Sequence, residues 1–155
     1  MPNTRRAVRP RPAGYSGTPL ARKLGIGPGC RLYLRDAPEH YPELVAPLPE
    51  GVKVVGRIGA DTDILHLFAT RRAELERALR AGLAAMRADA SIWVSWPKKS
   101  SGVVSEISED TVREVALAVG LVDIKVCAVD ETWSALKLVV RGNRRAHWPR
   151  RPRSA

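Results

Sequence analysis

The chain has 155 residues, 45% of them hydrophobic, which points to one domain with enough apolar side chains for a core. Two cysteines, Cys30 and Cys127, are too few for a disulfide framework, and the absence of any run of 18 apolar residues excludes a membrane-spanning helix. The net charge of +10 invites a nucleic-acid reading, but four arginines lie in residues 1–13 and six in 141–155, leaving a body with 16 basic and 16 acidic residues.

The charge pattern divides the chain into a basic tail (1–13), an α/β domain (14–141) and a second basic tail (142–155). The tails are expected to be disordered and to contact nucleic acid only weakly and non-specifically. The N-terminus lacks the apolar segment of a secretion signal, and the cysteines read as small buried residues in a reducing compartment, so the expected location is cytoplasmic, with no membrane contact.

Thr18-Pro19 reads as a helix start, with the hydroxyl as cap and proline in the first turn, and Gly25 as its end. Gly27-Pro28-Gly29 then turns the chain into a strand at Cys30 to Leu34. Pro38 to Val45 suggests a short helix, and Val52 to Val55 a second strand whose direction the sequence leaves open. Asp63 to Ala69 is a continuous apolar run, the pattern of a strand buried on both faces. Thr70 is placed to cap a helix with Ala73, Leu75, Leu79, Leu83 and Met86 on its apolar side. Ile92 to Trp96 is a further strand carrying Trp93 and Trp96, both expected in the core. Ser108 starts a helix with acids in its first turn and Gly120 ends it. Leu121 to Val129 and Trp133 to Arg141 are two strands separated by three residues, hence an antiparallel hairpin.

Strands and helices alternate from residue 63 to 129, which predicts a shortened Rossmann-like α/β fold. It is a three-layer αβα sandwich whose mostly parallel sheet of about six strands ends in an antiparallel C-terminal hairpin. ARKLGIGPGCRLYL, ADTDILHLF, LRAGLAAMRADASIWVSW and GLVDIKVCAVDETWSALKLVVR resemble successive segments of class I methyltransferase-like Rossmann folds. That resemblance implies S-adenosylmethionine as cofactor, held by a glycine-rich loop after the first strand. Here Arg35-Asp36-Ala37-Pro38-Glu39-His40 stands at that place without a glycine, and no acid stands where the ribose hydroxyls would be held. The stretches G-Y-S-G-T-P-L-A-x-K-L-G-I (14–26), V-S-W-P-K-K (94–99) and V-C-A-V-D-E-T-W-S-A-L-K (126–137) further resemble a small, mainly actinobacterial family with a domain of unknown function. This second resemblance spans about residues 14–141 and implies no activity.

In an open parallel sheet the ligand lies beyond the carboxyl ends of the strands. The candidate contacts there are Asp36, Ser95, Lys98, Lys99, Ser100, Ser101, Asp130, Glu131 and Trp133, with Tyr15 to Thr18 folding over the same edge. Two lysines, two serines and Gly102 suit an anionic group, or are simply a solvated loop. Asp130 and Glu131 are a carboxylate pair for acid–base work, or a turn that pairs with Lys98 or Lys99. Trp133 stacks on a ligand or covers the sheet. His66 reads as a satisfied core histidine, and His40 as exposed. No Ser-His-Asp or Cys-His spacing and no metal-ligand cluster is evident, so no catalytic set is assigned, no metal, and no resident cofactor.

The reading that follows is a non-catalytic accessory or regulatory domain binding a small anionic ligand or a protein partner. Two alternatives stand beside it: an S-adenosylmethionine-dependent methyltransferase with an atypical pocket, and a nucleic-acid accessory protein acting through its arginine tails.

Overall fold

The computed structural model describes residues 17–141. The expected disordered tails, and Tyr15 and Ser16 of the segment expected to fold over the sheet edge, lie outside the described residues.

Among the described residues, six strands form one sheet in the order β2-β1-β3-β4-β6-β5. They are β1 (Arg31–Arg35), β2 (Lys53–Val55), β3 (Ile64–Phe68), β4 (Ser91–Pro97), β5 (Leu121–Ala128) and β6 (Trp133–Val140). Strands β2, β1, β3 and β4 run parallel, while β6 is antiparallel to both β4 and β5. The shortened α/β fold with its closing hairpin is therefore what the chain adopts. Helices α3 (Arg72–Ala85) and α4 (Glu109–Ala118) cover one face. The short helices α1 (Leu20–Lys23) and α2 (Tyr41–Val45) cover the other.

The continuous apolar run of β3 is buried at every position, as a central strand packed on both faces requires. Trp93 and Trp96 are both buried, on opposite faces of β4. The α3 face differs in detail from the predicted stripe. Ala73 is exposed and Leu83 only partly buried, while Leu75, Ala78, Leu79 and Gly82 carry the contact. Gly82 permits the close approach: a Cβ there would lie 2.9 Å from Leu65 Cδ2 and 3.6 Å from Ile92 Cδ1. Replacing Gly82 with valine is expected to cost about 1–3 kcal/mol through overpacking, readable as a lowered urea midpoint at unchanged slope.

Two predicted caps fall elsewhere. Thr18 does not cap α1; Pro19 occupies the cap position, and its carbonyl accepts from Arg22 and Lys23 N–H. Thr70 does not cap α3 either. Its carbonyl accepts the Glu106 N–H, and Glu106 Oε1 in turn accepts from Arg72 N–H at 2.9 Å. A carboxylate from the distant β4–α4 loop thus supplies the first-turn acceptor, a pairing that sequence adjacency cannot reveal. Ser108 does cap α4, exchanging hydrogen bonds with Thr111 in a capping box.

The direction of β2 is settled by its position. It is a three-residue edge strand outside β1, so residues 56–63 pass from one side of β1 to the other without a helix. Asp63 anchors that crossing: its N–H donates to the Arg31 carbonyl and its carboxylate accepts from Arg31 N–H, both at 2.8 Å.

Candidate ligand site at the carboxyl edge

Strand order reverses between β1 and β3, since the chain goes outward to β2 and then returns across β1 to β3. The crevice outside the carboxyl ends of such strands is where open α/β sheets bind ligands. The loops that follow β1, β4 and β5 meet near that edge.

Asp130 organises the meeting. Its Oδ1 accepts from the N–H groups of Thr132 and Trp133, both at 2.8 Å, folding the hairpin turn as an Asx turn does. Its Oδ2 lies 3.0 Å from His40 Nε2, joining the loop after β1 to the hairpin. The His40 side chain is 50% exposed and that of Asp130 only 14%, so the carboxylate is the fixed partner and the imidazole the accessible one.

Lys98 does not form the expected ion pair with Asp130 or Glu131. Its ammonium donates to the Asp130 backbone carbonyl at 2.7 Å, and its N–H donates to the Thr132 carbonyl at 2.7 Å. The carboxylate is already committed to two N–H groups and His40, so the lysine takes the nearest free acceptor. Ser101 is likewise turned into its own loop. Its hydroxyl donates to the Lys98 carbonyl at 2.7 Å and accepts from Val103 N–H, closing the turn that Gly102 ends with a φ of 79°. Lys99, Ser100, Glu131 and Asp36 remain exposed, the last with a left-handed φ of 57°. Trp133 is half-buried, edge-on to Phe68 at 5.0 Å.

Ser95 is a correction to the expected site. It is fully buried, because alternation along β4 directs it into the α1/α2 face beneath the edge. There it belongs to a closed polar chain: Tyr41 hydroxyl to His66 Nδ1 at 2.8 Å, and His66 Nε2 to Ser95 Oγ at 2.7 Å. Phe68 stacks on the imidazole at 4.5 Å, and Tyr41 packs edge-on to both rings. Burial pushes the His66 pKa down to about 3, so the ring is neutral, with one nitrogen donating and the other accepting. Burial also raises the Tyr41 phenol, which stays protonated.

His40 and Tyr41 are the residues that sequence reasoning left out of the site. Their partners lie 90 and 25 positions away, and no periodicity marks such pairs. Among the described residues, no group of three or more His, Cys, Asp or Glu is arranged to hold a metal ion, and no helix is long and apolar enough to cross a membrane.

The fold is similar to that of known methyltransferases. A SAM-dependent methyltransferase from Aquifex aeolicus matches with a TM-score of 0.56 and 11% identity, over 79% of this chain and 88% of that protein. An O-methyltransferase from neocarzinostatin biosynthesis was solved with S-adenosylmethionine and 2-hydroxy-5-methyl naphthoic acid. It matches with a TM-score of 0.51 and 12% identity, over 83% of this chain and 51% of its own, so this chain spans about half of that enzyme. At such identities the likeness is one of fold. No family model and no curated protein matches the sequence.

Proposed function

We propose that this chain is a methyltransferase-like α/β domain that binds a small anionic ligand or a protein partner at its carboxyl edge and carries out no chemistry there. One observation carries the reading: the polar side chains behind the crevice already satisfy one another. Tyr41, His66 and Ser95 form a sealed chain, and Asp130 is engaged by two N–H groups of its own turn and by His40. A general base must reach a substrate proton, and His66 is fully buried beneath Phe68. Beside the exposed carboxylates of Asp36 and Glu131, the edge offers outward Lys99, Ser100, Arg35 and the His40 ring, equipment for contact with an anion.

The loop after β1 supports the same reading. It holds no glycine, and Asp36 takes the left-handed turn position where a close-approaching cofactor would favour one. A cytoplasmic location fits two cysteines that form no disulfide. The second reading, an S-adenosylmethionine-dependent methyltransferase, is favoured by the fold likeness to two enzymes of that class.

Calorimetric titration separates the two. S-adenosylmethionine at millimolar concentration is expected to give no saturable heat, and a stoichiometric isotherm would establish the methyltransferase reading instead. In a thermal-shift series with anionic metabolites, Lys99→Ala is expected to reduce the response of whichever compound raises the melting temperature.

A further inference from the structure

At the opposite, amino edge of the sheet lies an open polar groove of about 320 Å³. Its lining includes Gly25, Gly27 and Gly29 of the turn before β1, with Asp63, Arg87, Asp89, Ser91 and Lys137. Three features in and beside this groove are costly or idle for folding.

The first is a pair of like charges. Lys137 stands directly opposite Lys125 across the β5–β6 ladder, an arrangement that destabilises a sheet. Lys125 reaches only the Lys23 carbonyl, at 3.4 Å, and Lys137 has no hydrogen-bond or ion-pair partner among the described residues.

The second feature is what creates that pair. The β5–β6 register shifts between Asp123 and Lys125, leaving Ile124 as the extra residue of a bulge. Without the bulge, Ile124 would oppose Lys137. With it, a second ammonium is brought onto the same face, the re-aiming of a side chain for which bulges are used.

The third is Gly27. Its φ lies outside the left-handed range, and a Cβ there would meet nothing within 4 Å. Neither conformation nor packing asks for glycine, and its N–H has no partner among the described residues. Glycine at such a place leaves backbone open to a ligand.

Arg87 contributes rigidity rather than free charge. Its guanidinium is held by Asp63 and Asp89 at 2.9 and 3.0 Å and by the Ala60 carbonyl at 2.9 Å. Asp89 stays 71% exposed, leaving carboxylate surface for hydroxyl donors, and Ser91 lies beside it in the groove.

We propose that this groove is a second binding site, for a small phosphate ester of a polyhydroxylated molecule. Lys137 and the Gly27 N–H receive the phosphate, with the charge of Lys125 beside Lys137 across the ladder, while Asp89 and Ser91 receive the hydroxyls. Two lysines act as point charges for a multiply charged anion, where a planar carboxylate would call for the fork of an arginine. The volume lies at the low end of small-ligand sites, which matches a compact ligand.

The test is an amide NMR titration of the full chain with ribose 5-phosphate, inorganic phosphate and ribose. Ribose 5-phosphate is expected to shift the Gly27, Gly29 and Ser91 amides saturably in the millimolar range. Phosphate alone should bind more weakly, and ribose not at all. Lys137→Met should weaken the ester by about tenfold or more, as loss of a charged hydrogen bond does. It should not lower the melting temperature, because it also removes a like-charge contact. Gly27→Val should block the site while leaving the rest of the spectrum unchanged. The proposal is overturned if neither phosphate compound shifts these amides, if Lys137→Met binds as tightly as the wild type, or if the shifts fall on Lys99 and Ser100 instead. Phosphate or ribose binding as tightly as the ester would overturn the assignment of ligand class. S-adenosylmethionine is absent from this experiment, so its outcome is independent of the calorimetric one.

Discussion

Acidification from pH 7 to pH 4 is expected to remove about 3 kcal/mol of stability through the single imidazole of His66. The folded-state pKa of His66 is about 3, well below the unfolded value near 6.5, because the ring is fully buried between Tyr41 and Ser95. Its contribution to stability is therefore complete above the unfolded pKa. As the pH falls below about 6.5, the unfolded chain takes up a proton that the folded chain refuses, and the loss continues down to about pH 3. Carboxylates in surface ion pairs lose stability over part of the same range, so the informative quantity is a difference between variants. Urea midpoints measured from pH 7 to pH 4 should fall steeply in the wild type and much less steeply in His66→Gln. Parallel slopes would show that His66 titrates normally and that the buried chain is not closed. In Tyr41→Phe the ring nitrogen loses its buried partner, at a cost of about 1–3 kcal/mol at neutral pH.

Trp93→Ala is expected to cost about 3–5 kcal/mol, on the order of a third or more of the stability of a domain this size. Trp93 is wholly buried in the layer between β4 and helices α1 and α2. Its Nε1–H donates to the Leu24 carbonyl at 2.9 Å, at the end of α1. Truncation leaves a cavity and an unsatisfied carbonyl together. Trp93→Phe separates the two effects, because it keeps most of the apolar volume and removes only the donor, with an expected cost of about 1–3 kcal/mol. Denaturant unfolding monitored by circular dichroism reads both values, and a Trp93→Ala cost below about 1 kcal/mol would show that the site collapses around the change. Because Leu24 leads into the Gly25–Gly29 turn, Trp93→Phe should also loosen one wall of the amino-edge groove.

Much of the site's neighbourhood could be read from local signals. The three residues between β5 and β6 read as a hairpin turn, and Asp130 folds that turn by accepting from the Thr132 and Trp133 N–H groups. Pro97 marked where β4 ends, and Gly102 takes the left-handed turn position after Lys99–Ser101. The inward orientation of Ser95 was less accessible. It lies one residue from the end of the apolar part of β4, and only the two-residue alternation counted from Trp93 places it on the α1/α2 face. Lys98 was expected to pair with Asp130 or Glu131, more than 30 positions away, yet its ammonium went to a backbone carbonyl because His40 and two N–H groups reached the Asp130 carboxylate first.

The sequence by itself determined the alternation of strand and helix, the buried character of β3 and β4, the hairpin, and the Ser108 cap. Each of these rests on contacts within a few residues, or on a hydrophobic period that burial of one or two faces imposes. Only the tertiary structure decided the order of the strands and the partners of the polar groups. A three-residue turn requires β5 and β6 to pair, but it does not say which of them lies beside β4. Strand β6 takes that place because it offers Ala135, Leu136 and Leu138 for burial, while β5, with Ile124, Lys125 and Val126 exposed, tolerates the edge. The same packing joins His40 to Asp130 and seals His66 between Tyr41 and Ser95. Buried polar groups must find partners, and which partner is within reach depends on sheet register and helix placement rather than on separation along the chain.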